Sequence, residues 1–128
     1  MRILSFITIL AVSAMLASCE KDLKPDSLSF DVTTISNTYH VGDTINFILS
    51  GNPDIISFYS GKPGNNYEFK DRAPDPDRGI PIKDISQRLD KYSYIYTDPG
   101  VYKVVFAAFN VAGTKQVSTS KEIDITIQ

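Results

Sequence analysis

From Leu28 to the end of the chain, apolar side chains recur at every second residue over several short stretches. The first stretch is apolar at Leu28, Phe30 and Val32, and the same pattern returns across residues 44–49. Side chains of a strand switch face at every residue, so this period predicts strands with one buried face. The pattern leaves room for about one short helix, so it predicts an all-β fold.

Turn-forming residues divide the remaining pattern into further strands. Residues 61–91 hold four of the seven prolines and three of the seven glycines, so this segment is predicted to be mostly loop. Within it we expect a short edge strand at Tyr67 and Phe69 and one helical turn across residues 82–89. Other strands are predicted at residues 55–60, 92–97, 101–111 and 115–127. About seven short strands separated by turns predict an antiparallel β-sandwich.

The first 18 residues have the composition of an export signal. Arg2 precedes an uncharged apolar run that is long enough to enter a translocation channel and short for a membrane-spanning helix. The run ends in the letters LASC, which resemble the lipobox of bacterial lipoproteins, with Cys19 as the lipidated residue. The alternative, a retained membrane anchor, would need a basic stop-transfer cluster, and acidic and basic residues are mixed after Cys19. We therefore predict a lipoprotein signal peptide at residues 1–18.

The chain after the signal divides into a tether and one domain. Residues 19–27 are polar, contain a proline and lack periodicity, so we interpret them as a lipidated tether, with a single domain at residues 28–128. Cys19 is the only cysteine, so a core rather than a disulfide must stabilise the domain. Removing Arg2 from 13 basic residues leaves 12 against 15 acidic ones. This balance argues against nucleic acid as a partner.

The second half of the chain resembles a known domain type. Residues 96–113, with the sequence YTDPGVYKVVFAAFNVAG, are similar to the second half of PKD-type immunoglobulin-like domains. The resemblance implies an immunoglobulin-like sandwich in which Tyr96 and Tyr102 face the core. By alternation, Tyr92 and Tyr94 share the face of Tyr96 and are expected to pack inward or at the sandwich edge. The predicted core includes Phe47, Phe58, Tyr102, Val104, Phe106, Ile123 and Ile125.

Residues 28–72 carry a second resemblance. The segments FYSG at residues 58–61 and YEFKDR at residues 67–72 look like the opening of a family of surface lipoproteins of unknown function. Members are typical of Gram-negative bacteria with outer-membrane systems for glycan utilisation. The resemblance implies a lipid-anchored protein of the outer membrane, exposed at the cell surface, and it supplies no known active site.

The candidates for catalytic or metal chemistry are few. His40 is the sole histidine and lies beside a turn signal, so a solvated histidine is the favoured interpretation over a catalytic one. The long loop offers Tyr67, Asp71, Asp75 and Asp77 as candidate ligand residues. The acidic spacing departs from the calcium-loop pattern, and Asp-Pro and Asp-Arg-Gly segments also make ordinary turns. We therefore predict no enzyme activity, no resident metal and no cofactor.

The strand at residues 101–111 has an apolar outer face. If Tyr102 and Val104 point inward, alternation places Val105 and Phe109 outward, and Tyr59 of the neighbouring strand joins them. Exposed apolar surface of this kind often marks a binding site, so these three residues form the candidate binding patch. The alternatives are that the strand register is shifted by one residue, or that the long loop or the segment at residues 67–71 folds over the patch and buries it.

Two functions of different class remain from the sequence. In the first, the chain is a lipid-anchored, non-catalytic binding or spacer module that docks to an outer-membrane protein. In the second, it is an accessory surface lipoprotein that binds polysaccharide through tyrosines and polar loop groups.

Overall fold

The computed structural model describes residues 24–69 and 78–128. The predicted signal peptide, Cys19 and the candidate ligands Asp71, Asp75 and Asp77 lie outside these residues. The described elements, in chain order, are β1 (Phe30–Thr33), β2 (Thr38–Tyr39), β3 (Thr44–Gly51), β4 (Ile55–Tyr59), the 3₁₀ turn η1 (Tyr67–Phe69), β5 (Ile80–Lys83), β6 (Lys91–Ile95), β7 (Gly100–Ala112) and β8 (Lys115–Ile127).

The strands form two sheets, so the predicted all-β sandwich is confirmed. One sheet has the order β1-β3-β6 and the other β2-β8-β7-β4-β5. The pairs are antiparallel except for β2 and β8, which run parallel. This is the immunoglobulin arrangement, in which the first strand begins in one sheet and crosses to the other. About seven strands were expected, and residues 24–69 and 78–128 contain eight: β2 and β5 were not predicted, and the strand expected at residues 67–69 is a 3₁₀ turn.

The core lies between the sheets and is built by alternate residues of each strand. Of the predicted core, five side chains are fully buried, namely Phe47, Phe58, Val104, Phe106 and Ile125. Tyr102 and Ile123 are half-buried and pack against its margin. The Phe106 ring lies 5.1 Å from that of Phe47 and 5.2 Å from that of Phe58, between centroids. Aromatic packing therefore occupies the centre, where related sandwiches of the antibody type place a disulfide.

Two tyrosines whose rings stack with centroids 4.2 Å apart, Tyr96 and Tyr102, donate hydroxyl hydrogen bonds to backbone carbonyls. The Tyr102 hydroxyl at the start of β7 donates to the Asp98 carbonyl at 2.8 Å, the tyrosine corner of immunoglobulin-like sandwiches. The Tyr96 hydroxyl is buried and donates to the Ser60 carbonyl at 2.6 Å, which joins the chain after β6 to the end of β4. The predicted inward packing of Tyr96 is confirmed, with Tyr92 and Tyr94 half-buried beside it.

The buried hydroxyl of Tyr96 predicts a loss of stability in alkali. Burial, followed by the nearby Tyr94, raises the pKa of Tyr96 above its ordinary value of about 10. The folded state then holds this proton more tightly than the unfolded state does, so stability is complete below pH ~10 and falls as the pH rises further. Urea unfolding at pH 8, 10 and 11 should show this decline. Tyr96→Phe should lose about 1 kcal/mol at pH 8 and show a shallower decline, and equal slopes would contradict the assignment.

Two local predictions in the long loop are wrong. The helical turn expected across residues 82–89 is absent, because residues 80–83 pair with β4 as β5 and a turn follows. In that turn Asp84 accepts hydrogen bonds from the backbone and side chain of Ser86. The edge strand expected at Tyr67 and Phe69 is instead η1, whose start is capped by the Asn66 side chain bonded to the Glu68 amide at 3.1 Å.

A tight hairpin joins β7 to β8. Ala112 pairs with Lys115, and Gly113 at φ 60° takes the first central position, as type II′ hairpins require. All 13 residues of β7 pair with β8 in one unbroken register. This register decides which β8 side chains lie beside the candidate patch.

The end of the predicted tether is held against the same end of the sandwich as this hairpin. Asn110 of β7 is buried and donates to the carbonyls of Asp26 and Ser27 at 3.2 and 3.5 Å. Asn52 donates to the Ser27 carbonyl and accepts from the Ser29 amide. The chain before β1 therefore leaves the domain next to the end of β7. No helix among the described residues is long and apolar enough to cross a membrane.

Candidate functional site

The candidate patch lies on the outer face of the five-stranded sheet, as alternation predicts. Tyr59 of β4 pairs with Val105 of β7, and Phe109 lies four residues further along the same face. Tyr59, Val105 and Ala107 form a second apolar cluster, separate from the core, with Tyr67 and Phe109 packed against it. The structure therefore brings the three predicted patch residues together on one face.

The expected exposure of most of this patch is wrong. Val105 is 1% exposed and Tyr59 is 9% exposed, while Phe109 is half-buried. The chain's own long loop provides the cover, which is one of the alternatives that alternation left open. The Tyr67 ring stands edge-on to the Tyr59 ring with centroids 5.1 Å apart. Gly79 lies so close to Tyr59 that a Cβ at this position would come within 2.8 Å of its ring.

Two sets of polar contacts hold this cover in place. The Asn65 side chain accepts from the Ser60 amide and donates to the Arg78 carbonyl, both at 2.6 Å, so it joins the end of β4 to the far end of the loop. Lys103 of β7 contacts Glu68 of η1 at 2.6 Å and Glu122 of β8 at 3.5 Å. The hydrogen bond to Glu68, followed by the charge of Glu122, raises the pKa of Lys103. Asn65 and Glu68, which lie on either side of Tyr67 in the sequence, thereby hold Tyr67 over Tyr59.

A groove of about 390 Å³ remains open beside the cover. Its middle follows a cross-strand row of small residues, since Ser57, Ala107 and Ser120 are paired side by side on β4, β7 and β8. Tyr59 and Tyr67 line one side, and Phe109 with its cross-strand neighbour Ser118 lines the other. The groove thus combines aromatic walls with a rim of hydroxyl groups. It forms because the small side chains of the central row lie between larger aromatic residues.

Among the residues that the structure describes, the groove lining carries no carboxylate, imidazole or amine. Its polar groups are the hydroxyls of tyrosine, serine and threonine. Such groups donate and accept hydrogen bonds but do not exchange protons readily near neutral pH. The arrangement is suited to binding.

The remaining sequence candidates do not join this site. His40 is exposed, and its backbone amide bonds to the Asp43 carboxylate at 2.8 Å within a turn. Tyr67 is the one predicted loop ligand that the structure describes, and it packs on Tyr59. Within residues 24–69 and 78–128, no group of three or more His, Cys, Asp or Glu residues could hold a metal ion.

A second cavity, of about 490 Å³, opens at the end of the sandwich where the tether enters. Phe30, Leu49 and Ile56 form part of its wall, and Lys83 and Arg88 lie at its rim. Lys83 donates to the carbonyls of Asp54 and Asp84, and Arg88 contacts Asp90 at 3.3 Å. These basic groups therefore already bond to nearby backbone carbonyls or to a nearby carboxylate of the same domain.

Comparison with models of protein families identifies the family of this chain. One family model, described as a domain of unknown function (DUF5017), matches residues 18–126. The chain belongs to the DUF5017 family. No curated protein and no solved structure matches it.

Sequence reasoning missed the residues that shape the groove from β8 and from the loop base. Ser118 and Ser120 could have been placed by counting back from the two-residue Gly113 turn, which sets the register of β8 against β7. The Pro-Gly turn before Asn65 signalled a loop, but no sequence pattern showed that Asn65 bonds residues 18 positions apart, Ser60 and Arg78.

Proposed function

We propose that this DUF5017 chain is a lipid-anchored, non-catalytic docking module of the outer membrane, and that the groove on its outer sheet face binds a membrane partner. The observation that carries the proposal is the position of the groove beside the tether. Phe109 borders the groove, and the next residue, Asn110, bonds the carbonyls of Asp26 and Ser27. The binding face and the attachment point therefore share one end of the domain.

The tether length sets the reach of this face. Residues 20–26 span roughly 20 to 25 Å when extended, so lipidation at Cys19 would keep the groove within about that distance of the membrane. A protein embedded in the same membrane lies inside this range. Lipidation also raises the local concentration of such a partner, which compensates for a small contact area.

Glycan binding is the second candidate, and a separate observation favours it. The groove places the hydroxyls of Ser118 and Ser120 beside the ring of Phe109. Sugars present apolar ring faces and hydroxyl groups together, so an aromatic wall with a hydroxyl rim suits them.

Phe109→Ser separates the two candidates. Phe109 is already half-buried, so filling the groove buries the rest of its ring, which is worth about 1 kcal/mol, and its loss should weaken capture of a membrane partner roughly fivefold. The full-length protein is cross-linked in intact cells, and captured outer-membrane protein is quantified alongside retention on polysaccharide gels and thermal melting. Val101→Ser is the matched control, because Val101 is on the same face of the same strand, 72% exposed and away from the groove.

The outcomes are distinct. Lost protein capture with unchanged melting supports docking, whereas lost polysaccharide retention alone supports glycan binding. If both activities persist and the melting temperature alone falls, Phe109 serves the fold and the groove is not a binding site.

A further inference from the structure

The outer edge of β8 is long and regular. Among residues 24–69 and 78–128, strand β2 pairs with this edge at Thr126 and Ile127, and no other strand joins it. Residues 116–124 therefore present an edge of roughly 30 Å that β7 supports from one side.

The residues of β8 that pair with β2 show which backbone groups along the rest of this edge point outward. The Thr126 amide donates outward to the Asn37 carbonyl at 2.8 Å, and the Gln128 amide donates outward to Tyr39. Antiparallel strands alternate between residues bonded to the neighbour and residues bonded away from it. With the register unbroken, the outward amides and carbonyls belong to Gln116, Ser118, Ser120, Glu122 and Asp124.

The other sheet edges are short or interrupted. The opposite edge strand, β5, has four residues, contains Pro81 and pairs irregularly with β4. The edges of the second sheet, β1 and β6, have four and five residues. Proteins commonly protect edges with charge, proline or short length. Residues 116–120 of β8 have none of these protections.

We propose that residues 116–124 of β8 form a strand-addition site, and that its occupant is an extended polypeptide segment of the membrane partner. Outward donors and acceptors recur about every 6.8 Å along this edge, a repeat that another strand matches group by group. The inference rests on the proposed docking function and specifies the conformation of the partner.

The side chains beside the edge supply specificity. Ser118 and Ser120 share the outer face with Phe109, to which Ser118 is paired across β7. These small residues leave room for a large apolar side chain of the added strand to lean over β8 toward the groove. Main-chain bonds would then provide affinity, and the groove would select the side chain.

A second copy of this chain fits the edge less well. The tether leaves near the start of β8, so antiparallel pairing of two β8 strands would point the two tethers in opposite directions. Two chains anchored in one membrane cannot easily adopt that arrangement. A partner segment carries no such restriction.

Ser120→Pro tests the edge directly. The Ser120 amide points outward, so proline removes a donor for the added strand without removing a bond to β7. The probe is a phage library of random twelve-residue peptides selected on the full-length protein in detergent. Enriched peptides should bind Ser120→Pro at least tenfold more weakly, and should slow hydrogen exchange at the amides of residues 118, 120 and 122.

Two further variants keep the test decisive. Ile48→Ser changes an exposed side chain of β3, in the other sheet and away from this edge, and should leave peptide binding within twofold. Paired Ser118→Lys and Ser120→Lys changes add protective charge and should weaken binding even if the proline variant fails to fold. The proposal is overturned if no peptide is enriched, if binding survives both the proline and the lysine changes, or if the Ile48→Ser change abolishes it. Protection of the same amides by raised protein concentration alone would assign the edge to a second copy, against the proposal.

The edge and the groove can fail separately. If Phe109→Ser loses the membrane partner while Ser120→Pro keeps it, docking stands and strand addition is wrong. If Ser120→Pro loses the partner while Phe109→Ser keeps it, the edge binds and the groove does not.

Discussion

Replacing Phe106 with alanine should lower the free energy of unfolding by about 3 to 5 kcal/mol. Phe106 is fully buried, and its ring contacts Phe47, Phe58 and Tyr92 at centroid distances of 5.1, 5.2 and 6.4 Å. The variant loses the burial of the ring and leaves a cavity at the point where the two sheets meet. The free energy of unfolding of a domain of this size is roughly 5 to 15 kcal/mol in total, so much of the variant protein should unfold on moderate warming.

Urea unfolding of purified protein measures this effect, and Val101→Ala is its control. Val101 lies on β7 five residues earlier and is 72% exposed, so its truncation should change stability by less than about 0.5 kcal/mol. Equal midpoints for the Phe106 and Val101 variants would mean that the β7 faces are assigned the wrong way round.

Replacing Cys19 with alanine should abolish incorporation of labelled fatty acid and release the mature domain from washed membranes. Each buried methylene contributes about 0.8 kcal/mol to membrane binding, so two or three acyl chains anchor a protein stably. Without acyl chains, the tether has no attachment to the membrane. Fatty-acid labelling of cells, followed by carbonate extraction and immunoblotting, measures both effects.

Ser18→Ala is the matched control for this experiment. It keeps a small residue before the cleaved bond and the thiol after it, so labelling and membrane retention should persist. Labelling of the Cys19 variant at the level of the unchanged protein would show that lipid is attached elsewhere, and the lipobox interpretation would be wrong.

The faces of β7 show how far alternation can predict a structure. Once Val104 and Phe106 face the core, Val105 and Phe109 must face outward, because a strand offers two faces and the period is two. The core and the outer cluster both follow from this rule. Exposure does not follow from it, because a loop distant in sequence can cover an outward face. Tyr67 and Gly79 cover Tyr59 in this way.

The two local errors have a related cause. Residues 67–69 read as a strand because aromatic residues alternate there, yet the Asn66 cap turns them into η1. Residues 82–89 read as a helical turn, yet pairing with β4 makes the start of that segment β5. Short segments have weak preferences of their own, so contacts with the rest of the molecule decide their conformation.

The sequence by itself determined the all-β class, the sandwich, the strand faces and most of the core, since these depend on a period of two and on turn residues that act locally. The tertiary structure alone decided where the described ends of the loop between β4 and β5 lie, which residues form the groove, and which strand edge has no further partner among the described strands. Those features depend on contacts such as Asn65 to Arg78 and Lys103 to Glu68, whose partners lie 13 and 35 residues apart. A one-dimensional pattern does not record such pairs, because their free energy arises only when the fold brings both partners together.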